Sequence, residues 1–343
     1  MKIIEPNYQI LRRKFMNPLQ RIESAARLAY KSEDKITEDS AKSFCDMLLS
    51  KQHYPVFEFA NLHFKFAGFK DFEDAKNITY HQQVLDFAMI ARSFPHLNVT
   101  EKMEITKNVG LQKVVYVSGT VRAFAEAFST PLNVSAQHST NLIWSTFADF
   151  YHKYAEENGL PPGIPKAFDY GVAWYNKVDF KVMRVGEMFH SLDLHEQERH
   201  FMVPVKFTCS RAISHELVRH RPCSFIQQSQ RYCNYSNEKF GKEITFIKPS
   251  AFFHEKSHEY EMWENCMQVA EDTYMKMLGW GCTPQAASNV LPNSCATEII
   301  IYTTLKEWKH ILSLRTSPAA DPAMRQLMLP LNQRLFFALD CFE

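Results

Sequence analysis

Glycine is scarce in this sequence, ten in 343 residues, and no G-x-G-x-x-G run occurs. That excludes the strand–turn–helix fingerprint of a Rossmann dinucleotide domain. Charge of one sign is missing as well: 39 Lys and Arg face 38 Asp and Glu, a net charge of +1. A generic binder of nucleic acid or of an anionic membrane surface carries a clear basic excess, so neither partner is expected. The eight cysteines form no C-x-x-C pair, which removes zinc-ribbon spacing, and a disulfide framework does not suit a chain this long. They read as reduced and mostly buried cysteines of a cytoplasmic protein. No apolar run approaches the roughly 20 residues of a membrane span. The opening MKIIEPNYQILRRKF has basic residues with no apolar stretch behind them, unlike a signal peptide. Repeats and low-complexity tracts are also lacking.

What is present is ample apolar material, 45% hydrophobic against 22% charged residues, enough for a sizeable core. Helical periodicity runs from Pro18 to Lys31 and from Thr37 to Lys51. Phe57 to Phe69 (FEFANLHFKFAGF) alternates as a half-buried strand does. Lys70 to Gln112 shows little clean period. Lys113 to Val117 reads as a strand ending at a Ser118-Gly119 turn, and Arg122 to Phe128 as a helix. Leu160-Pro161-Pro162-Gly163-Ile164-Pro165 breaks the chain. Phe201 to Cys209 is strand-like, with Ser210 placed to cap a helix SRAISHELVRHR. Ser257 to Leu278 is a long amphipathic helix; Thr283-Pro284 starts a short one, stopped at Leu291-Pro292. Thr297 to Leu314 and Pro322 to Leu329 read as helical. The ending Leu335 to Glu343 reads as core packing before a docking tail.

The densest polar cluster runs from Arg219 to Tyr232, RHRPCSFIQQSQRY. Cations at a helix C-terminus stabilise it on their own account. That does not explain why Ser224, Gln227, Gln228, Ser229, Gln230 and Arg231 follow at once. Guanidinium forks suit phosphates and amides suit the edge of a base, so the chemistry favours a nucleotide-binding loop over a solvated basic turn. His215-Glu216 is not a zinc-protease helix, because the position four after His215 is Arg219; no metal site is expected.

Arg-His-Arg, seven residues, then Ser, fitted without gaps by Arg219 to Ser229, resembles the signature of flavin-dependent thymidylate synthases. The flanks from Ser210 to Ser236 resemble the same family. So do VLPNSCATEIIIYTTLKEWKHILSLRTSPAADPAMRQL (Val290 to Leu327), AARLAYKSED, His53 to Glu58, and VSGTVRAF (Val117 to Phe124).

The resemblance implies an α+β fold, a mixed or antiparallel sheet flanked by helices, with an inserted region. Residues 1–69 and 200–343 then form the two parts of a catalytic core, and 70–199 an elaboration of unknown role. It implies a homotetramer with FAD at a subunit interface, held by His53, Arg219, His220, Arg221, Gln227, Thr304, Lys306 and His310. A pyrimidine deoxynucleotide is read by Glu216, Arg219, Gln228, Ser229, Gln230 and Arg231. Arg315 and Ser229 stand at the reacting base, Arg315 favouring its ionised form and Ser229 binding rather than attacking. The implied reaction moves a one-carbon unit from methylenetetrahydrofolate to C5 of dUMP, with flavin recharged by NADPH. The chain departs from the family at the phosphate site, where Ser288 replaces an Arg before Val290-Leu291-Pro292. It departs also at Gln227 and Gln228, where an acid is expected, at Thr304 for an Asn, and at Phe59 for a second His. These changes leave open a hydroxymethylating or dCMP-modifying relative, and a non-catalytic flavin- or nucleotide-binding homologue.

Overall fold

A computed structural model describes residues 1–12, 16–69, 80–106, 110–129, 138–161 and 178–335. The first elements in chain order are β1 (Lys2–Ile4), β2 (Asn7–Ile10), α1 (Pro18–Ala26), α2 (Ser40–Ser50), β3 (Asn61–Phe69) and α3 (Tyr80–Ser93). Next come β4 (Asn98–Thr106), β5 (Gly110–Thr120), α4 (Val121–Ser129), α5 (His138–Asn158), β6 (Val178–Val182), α6 (Val185–Ser191) and α7 (Leu194–His200). Then follow β7 (Met202–Ser210), α8 (Arg211–Leu217), β8 (Ser224–Gln227), β9 (Thr245–Ile247) and α9 (His258–Gly279). The last are α10 (Pro284–Ala287), β10 (Ala296–Thr304), α11 (Leu305–Arg315) and α12 (Pro322–Leu335). The chain is α+β, and it divides into two compact units. One holds Met1–Lys14, Ser24–Ile36 and Met202–Cys341; the other holds Phe15–Glu23 and Thr37–Phe201.

The first unit is built on an antiparallel sheet in the order β2-β7-β10-β8, beside a parallel pair of β1 with β9. Its inner strand β10 corrects the helix read over Thr297 to Leu314. ATEIIIYTT is rich in β-branched residues and bonds β7 on one edge and β8 on the other, and the helix begins only at Leu305. A strand covered on both faces shows no alternation to betray it. Ser210 caps α8 as expected, its Oγ accepting the Ile213 N–H at 3.3 Å. Thr304 does the same for α11, accepting from Glu307 at 3.2 Å. Because Ser210 lies opposite Ala296 and Thr304 opposite Met202, the two helices leave the sheet from opposite ends. The fully buried Trp308 donates from Nε1 to the Val203 carbonyl at 3.0 Å, tying α11 down onto β7. The long helix α9, capped by Ser257, packs Met267 and Tyr274 against Tyr235, Ile244, Phe246 and Cys295.

The second unit has an antiparallel sheet in the order β4-β5-β3-β6. The alternation of β3 buries Leu62, Phe64 and Phe66. Phe64 meets Phe124 of α4 and Phe147 of α5 edge-on at 4.9 and 5.4 Å. The strand is shorter than its aromatic run: Tyr54–Phe59 forms a 3-10 turn begun by Pro55, and β3 starts at Asn61. The turn read at Ser118-Gly119 is not one, because β5 continues through it, Ser118 opposite His63 and Gly119 opposite Leu62. Residues 80–106, without a clean period in sequence, hold α3 and β4. Residues 37–69 belong to this unit rather than with the C-terminal segment, since β3 is an inner strand between β5 and β6. Pro162 to Pro165 of the chain-breaking run, and all of the ending beyond Leu335, lie outside the described residues.

Gly119 has a steric reason to be glycine. A Cβ there would stand 2.6 Å from Leu97 Cδ2 and 3.3 Å from the His96 carbonyl oxygen. Gly119→Ala is expected to cost about 1–3 kcal/mol of stability by overpacking, measured as a shifted urea midpoint; an unchanged midpoint refutes the steric account.

Beneath this sheet lies a buried polar cluster. His200, at the end of α7, has its ring nitrogens 2.8 Å from Ser118 Oγ and 2.8 Å from Thr100 Oγ1. Asn61 donates from Nδ2 to the His200 carbonyl at 2.9 Å. His63 packs against the Phe201 ring at 5.6 Å, and its Nδ1 and Asn61 Oδ1 have no hydrogen-bond partner among the described residues. Burial, with His200 and Arg21 nearby, pushes His63 down to about 3; burial with Arg199 pushes His200 down to about 4.

Candidate active site

Helix α8 ends at Leu217, earlier than SRAISHELVRHR suggests, so Arg219, His220 and Arg221 lie in the turn beyond it. The His220 ring is buried while both flanking arginines are exposed. The following residues are not all loop: Ser224 to Gln227 form the edge strand β8 against β10.

The end of α11 comes back to this turn. Arg315 donates from Nε to His220 Nε2 at 3.0 Å, from Nη1 to Glu216 Oε2 at 2.7 Å, and from Nη2 to the Glu216 carbonyl at 3.1 Å. Three donors of the guanidinium are thereby fixed, leaving two of its five. Burial first, then Arg315 and His310, push His220 down to about 4, so the ring is neutral at ordinary pH. Burial also raises the Glu307 carboxyl in the first turn of α11.

The amides are anchored from below. Gln227 donates from Nε2 to Ser214 Oγ at 2.9 Å and Thr297 Oγ1 at 3.1 Å, leaving its carbonyl for a ligand. Gln228 is buried, its N–H on the Glu298 carbonyl at 2.8 Å and its Nε2 3.7 Å from Cys233 Sγ. Ser229 donates its N–H to the Ala29 carbonyl at 3.0 Å, and Lys31 two residues on pairs with Glu298. Tyr30 stacks obliquely on Tyr232 at 5.3 Å, with the Arg231 guanidinium 5.6 Å from the Tyr232 ring centre. The segment Ala25 to Asp34 thus braces the loop; the sequence marks it as a motif but assigns it no role. Ser214, Thr297 and the Lys31–Glu298–Lys206 cluster were also not foreseen, because nothing in a sequence pairs residues across a sheet.

Arg219, Arg221 and Arg231 are exposed and make no ion pair among the described residues. Unpaired guanidiniums beside a neutral histidine fit an anionic, phosphate-bearing ligand. Thiolate chemistry is disfavoured: burial pushes Cys223 up to about 12 and also raises Cys233. No cluster of metal-binding side chains occurs among the described residues. Lys306 and His310 are exposed on α11, while the Thr304 oxygen accepts the cap bond, leaving its proton and one lone pair to offer. Ser288 ends α10 and bonds back to the Gln285 carbonyl at 2.9 Å. Gln230 is half-buried. Of the residues assigned from sequence, Glu216, His220 and Arg315 come into direct contact. His53 belongs to the other unit.

Fold and site together give an α+β unit with a hydrogen-bonded Arg–His–Glu centre beside three exposed arginines. The profile of a family described as "Thymidylate synthase complementing protein" matches residues 195–335. Curated relatives named flavin-dependent thymidylate synthase include that of Pyrococcus furiosus, 36% identical over 120 residues, 35% of this chain and 48% of that protein. That of Geobacter sulfurreducens is 36% identical over 118 residues, 34% of this chain and 49% of the relative. The Mycobacteroides abscessus protein is 28% identical over 134 residues, 37% and 54% respectively. The chain spans about half the length of the curated relatives it matches. Residues 195–335 are the segment similar to these flavin-dependent thymidylate synthases.

Proposed function

We propose that this chain is a flavin-dependent enzyme that transfers a one-carbon unit from methylenetetrahydrofolate to C5 of dUMP, using FAD and NADPH. The observation that carries the reading is the bonded Glu216–Arg315–His220 centre beside the unpaired Arg219, Arg221 and Arg231, inside the segment shared with the relatives. FAD fits this donor set, and when bound it supplies the hydride chemistry. Arg219, Arg221, Lys306 and His310 offer it cationic or polar contacts, joined by His220, the Gln227 carbonyl and the Thr304 hydroxyl. Gln228, Ser229, Gln230 and Arg231 hold the nucleotide. Arg315 turns its two remaining donors to a pyrimidine carbonyl oxygen, stabilising charge that develops there and making C5 more nucleophilic. The reading includes a homotetramer in the cytoplasm. No helix among the described residues is long and apolar enough to cross a membrane.

Ser288 favours a second reading. Its hydroxyl bonds locally to Gln285, and it cannot supply the charge-assisted phosphate contact of an arginine, on the order of 1.5–3 kcal/mol. A site with its phosphate held differently accommodates hydroxymethylation, or dCMP as substrate.

The test is product mass. Flavin-loaded protein with methylenetetrahydrofolate and NADPH is given dUMP or dCMP, and the nucleotide is weighed. Methylated dUMP is the expected result. A hydroxymethylated product, or reaction of dCMP alone, selects the second reading, and no product despite bound FAD supports a non-catalytic homologue.

A further inference from the structure

The sequence places Glu216 among the residues that read a nucleotide, yet its side chain is committed inside the protein. Its carboxylate receives Arg315 Nη1 at 2.7 Å, and its own carbonyl receives Nη2 at 3.1 Å. A guanidinium gripped on two nitrogens by one residue has its plane fixed, and that plane aims Nε at His220 Nε2, 3.0 Å away.

The contact determines the state of the imidazole. Nε of an arginine is always a donor, so His220 Nε2 must be the acceptor and cannot carry a proton. A neutral ring then holds its proton on Nδ1. Protonating Nε2 would set two donors against each other and add a second positive charge beside the guanidinium.

We infer that Glu216 is a positioning residue, which holds Arg315 so as to lock His220 in the neutral Nδ1–H tautomer and leaves that ring a fixed single donor for an acceptor oxygen of the bound ligand. The functional consequence rests on the reading above; the tautomer itself does not. A ring locked this way welcomes a carbonyl oxygen and rejects an N–H at the same place. It also differs from a cationic histidine, since its contribution stays constant across neutral pH. Arg219 and Arg221 flank it in the chain, and His310 on α11 faces it electrostatically. Among them His310, with Arg315, disfavours the charged ring.

The experiment is nitrogen-15 NMR of the intact, histidine-labelled protein, with the His220 signals identified by their loss in His220→Asn. Wild type is expected to show one neutral Nδ1–H tautomer between pH 6 and 8. In Glu216→Ala the guanidinium is released, and His220 is expected to show mixed tautomers. Glu216→Gln retains an acceptor for Nη1 and is expected to restore the single tautomer, a rescue that a general packing role does not predict. An Nε2–H tautomer in wild type, or an unchanged single tautomer in Glu216→Ala, overturns the inference. Because the readout needs no substrate, an inactive protein with the expected spectra refutes the proposed reaction and leaves the positioning role standing.

Discussion

On the function proposed above, Arg315→Ala abolishes measurable turnover of dUMP while flavin stays bound: that is the expected result for a residue whose two free donors are proposed to face developing charge. Removing one preorganised donor from a site of this kind costs about 10²–10³ in rate, and this substitution removes both and also the partner of His220. The loss should not come from unfolding. Arg315 and Glu216 are only partly buried, with side chains 18% and 34% exposed, and losing hydrogen bonds to Glu216 and the His220 ring is expected to cost about 1–3 kcal/mol. Thermal unfolding is therefore expected to move by only a few degrees, and the yellow colour of the purified variant to persist. Full activity in Arg315→Ala would exclude the residue from the reaction. Lost flavin would assign it to cofactor binding instead.

The second large effect is acid sensitivity of the Thr37–Phe201 unit. Its two buried histidines sit near 3 and 4 in the folded chain, against 6.5 for the free group. The unfolded chain therefore takes up protons first as pH falls. Stability from this source is complete above 6.5 and declines through the interval down to about 4 and then 3. At 1.36 kcal/mol per unit of difference, each histidine contributes on the order of a few kcal/mol over the full interval. Both rings are nearly excluded from water, His63 at 4% and His200 at 0% exposure, so solvent does little to relieve the charge. Urea midpoints between pH 7.5 and 4.5 should fall steeply, and His63→Gln should flatten the slope. An identical slope in that variant would mean that carboxylates, not this cluster, set the acid limit.

Much of the candidate site was legible because its residues are close together in sequence. Arg219 to Arg231 is one continuous run, and Ser210, Ser257 and Thr283 announce their helices through a cap chemistry that acts over three residues. What was hidden is long-range. The bond from Arg315 to Glu216 spans 99 positions, so the carboxylate could be read as a ligand contact and not as an internal partner. β10 was concealed for a different reason: a strand bonded on both edges and covered on both faces loses its period, and the helical period of LKEWKHILSLR ran backwards into it. β1 and β2, at three and four residues, are too short to carry a period at all. The buried histidines carry no signal in the sequence, since only the fold brings Asn61, Thr100, Ser118 and His200 together.

The pairing of β2 with β7 sets an order of events for folding. Asn7 lies opposite Thr208 and Ile10 opposite Val205, so this edge closes only after nearly 200 residues of intervening chain have been made. Closing a flexible loop of that length costs about 2 kcal/mol more than closing one of 20 residues. Most of the intervening chain forms a unit with its own sheet, and once compact it no longer counts as flexible loop. The unit holding the buried histidines is thus expected to condense first on the ribosome. The segment bearing the Arg–His–Arg turn follows, with the N-terminal strand waiting for it.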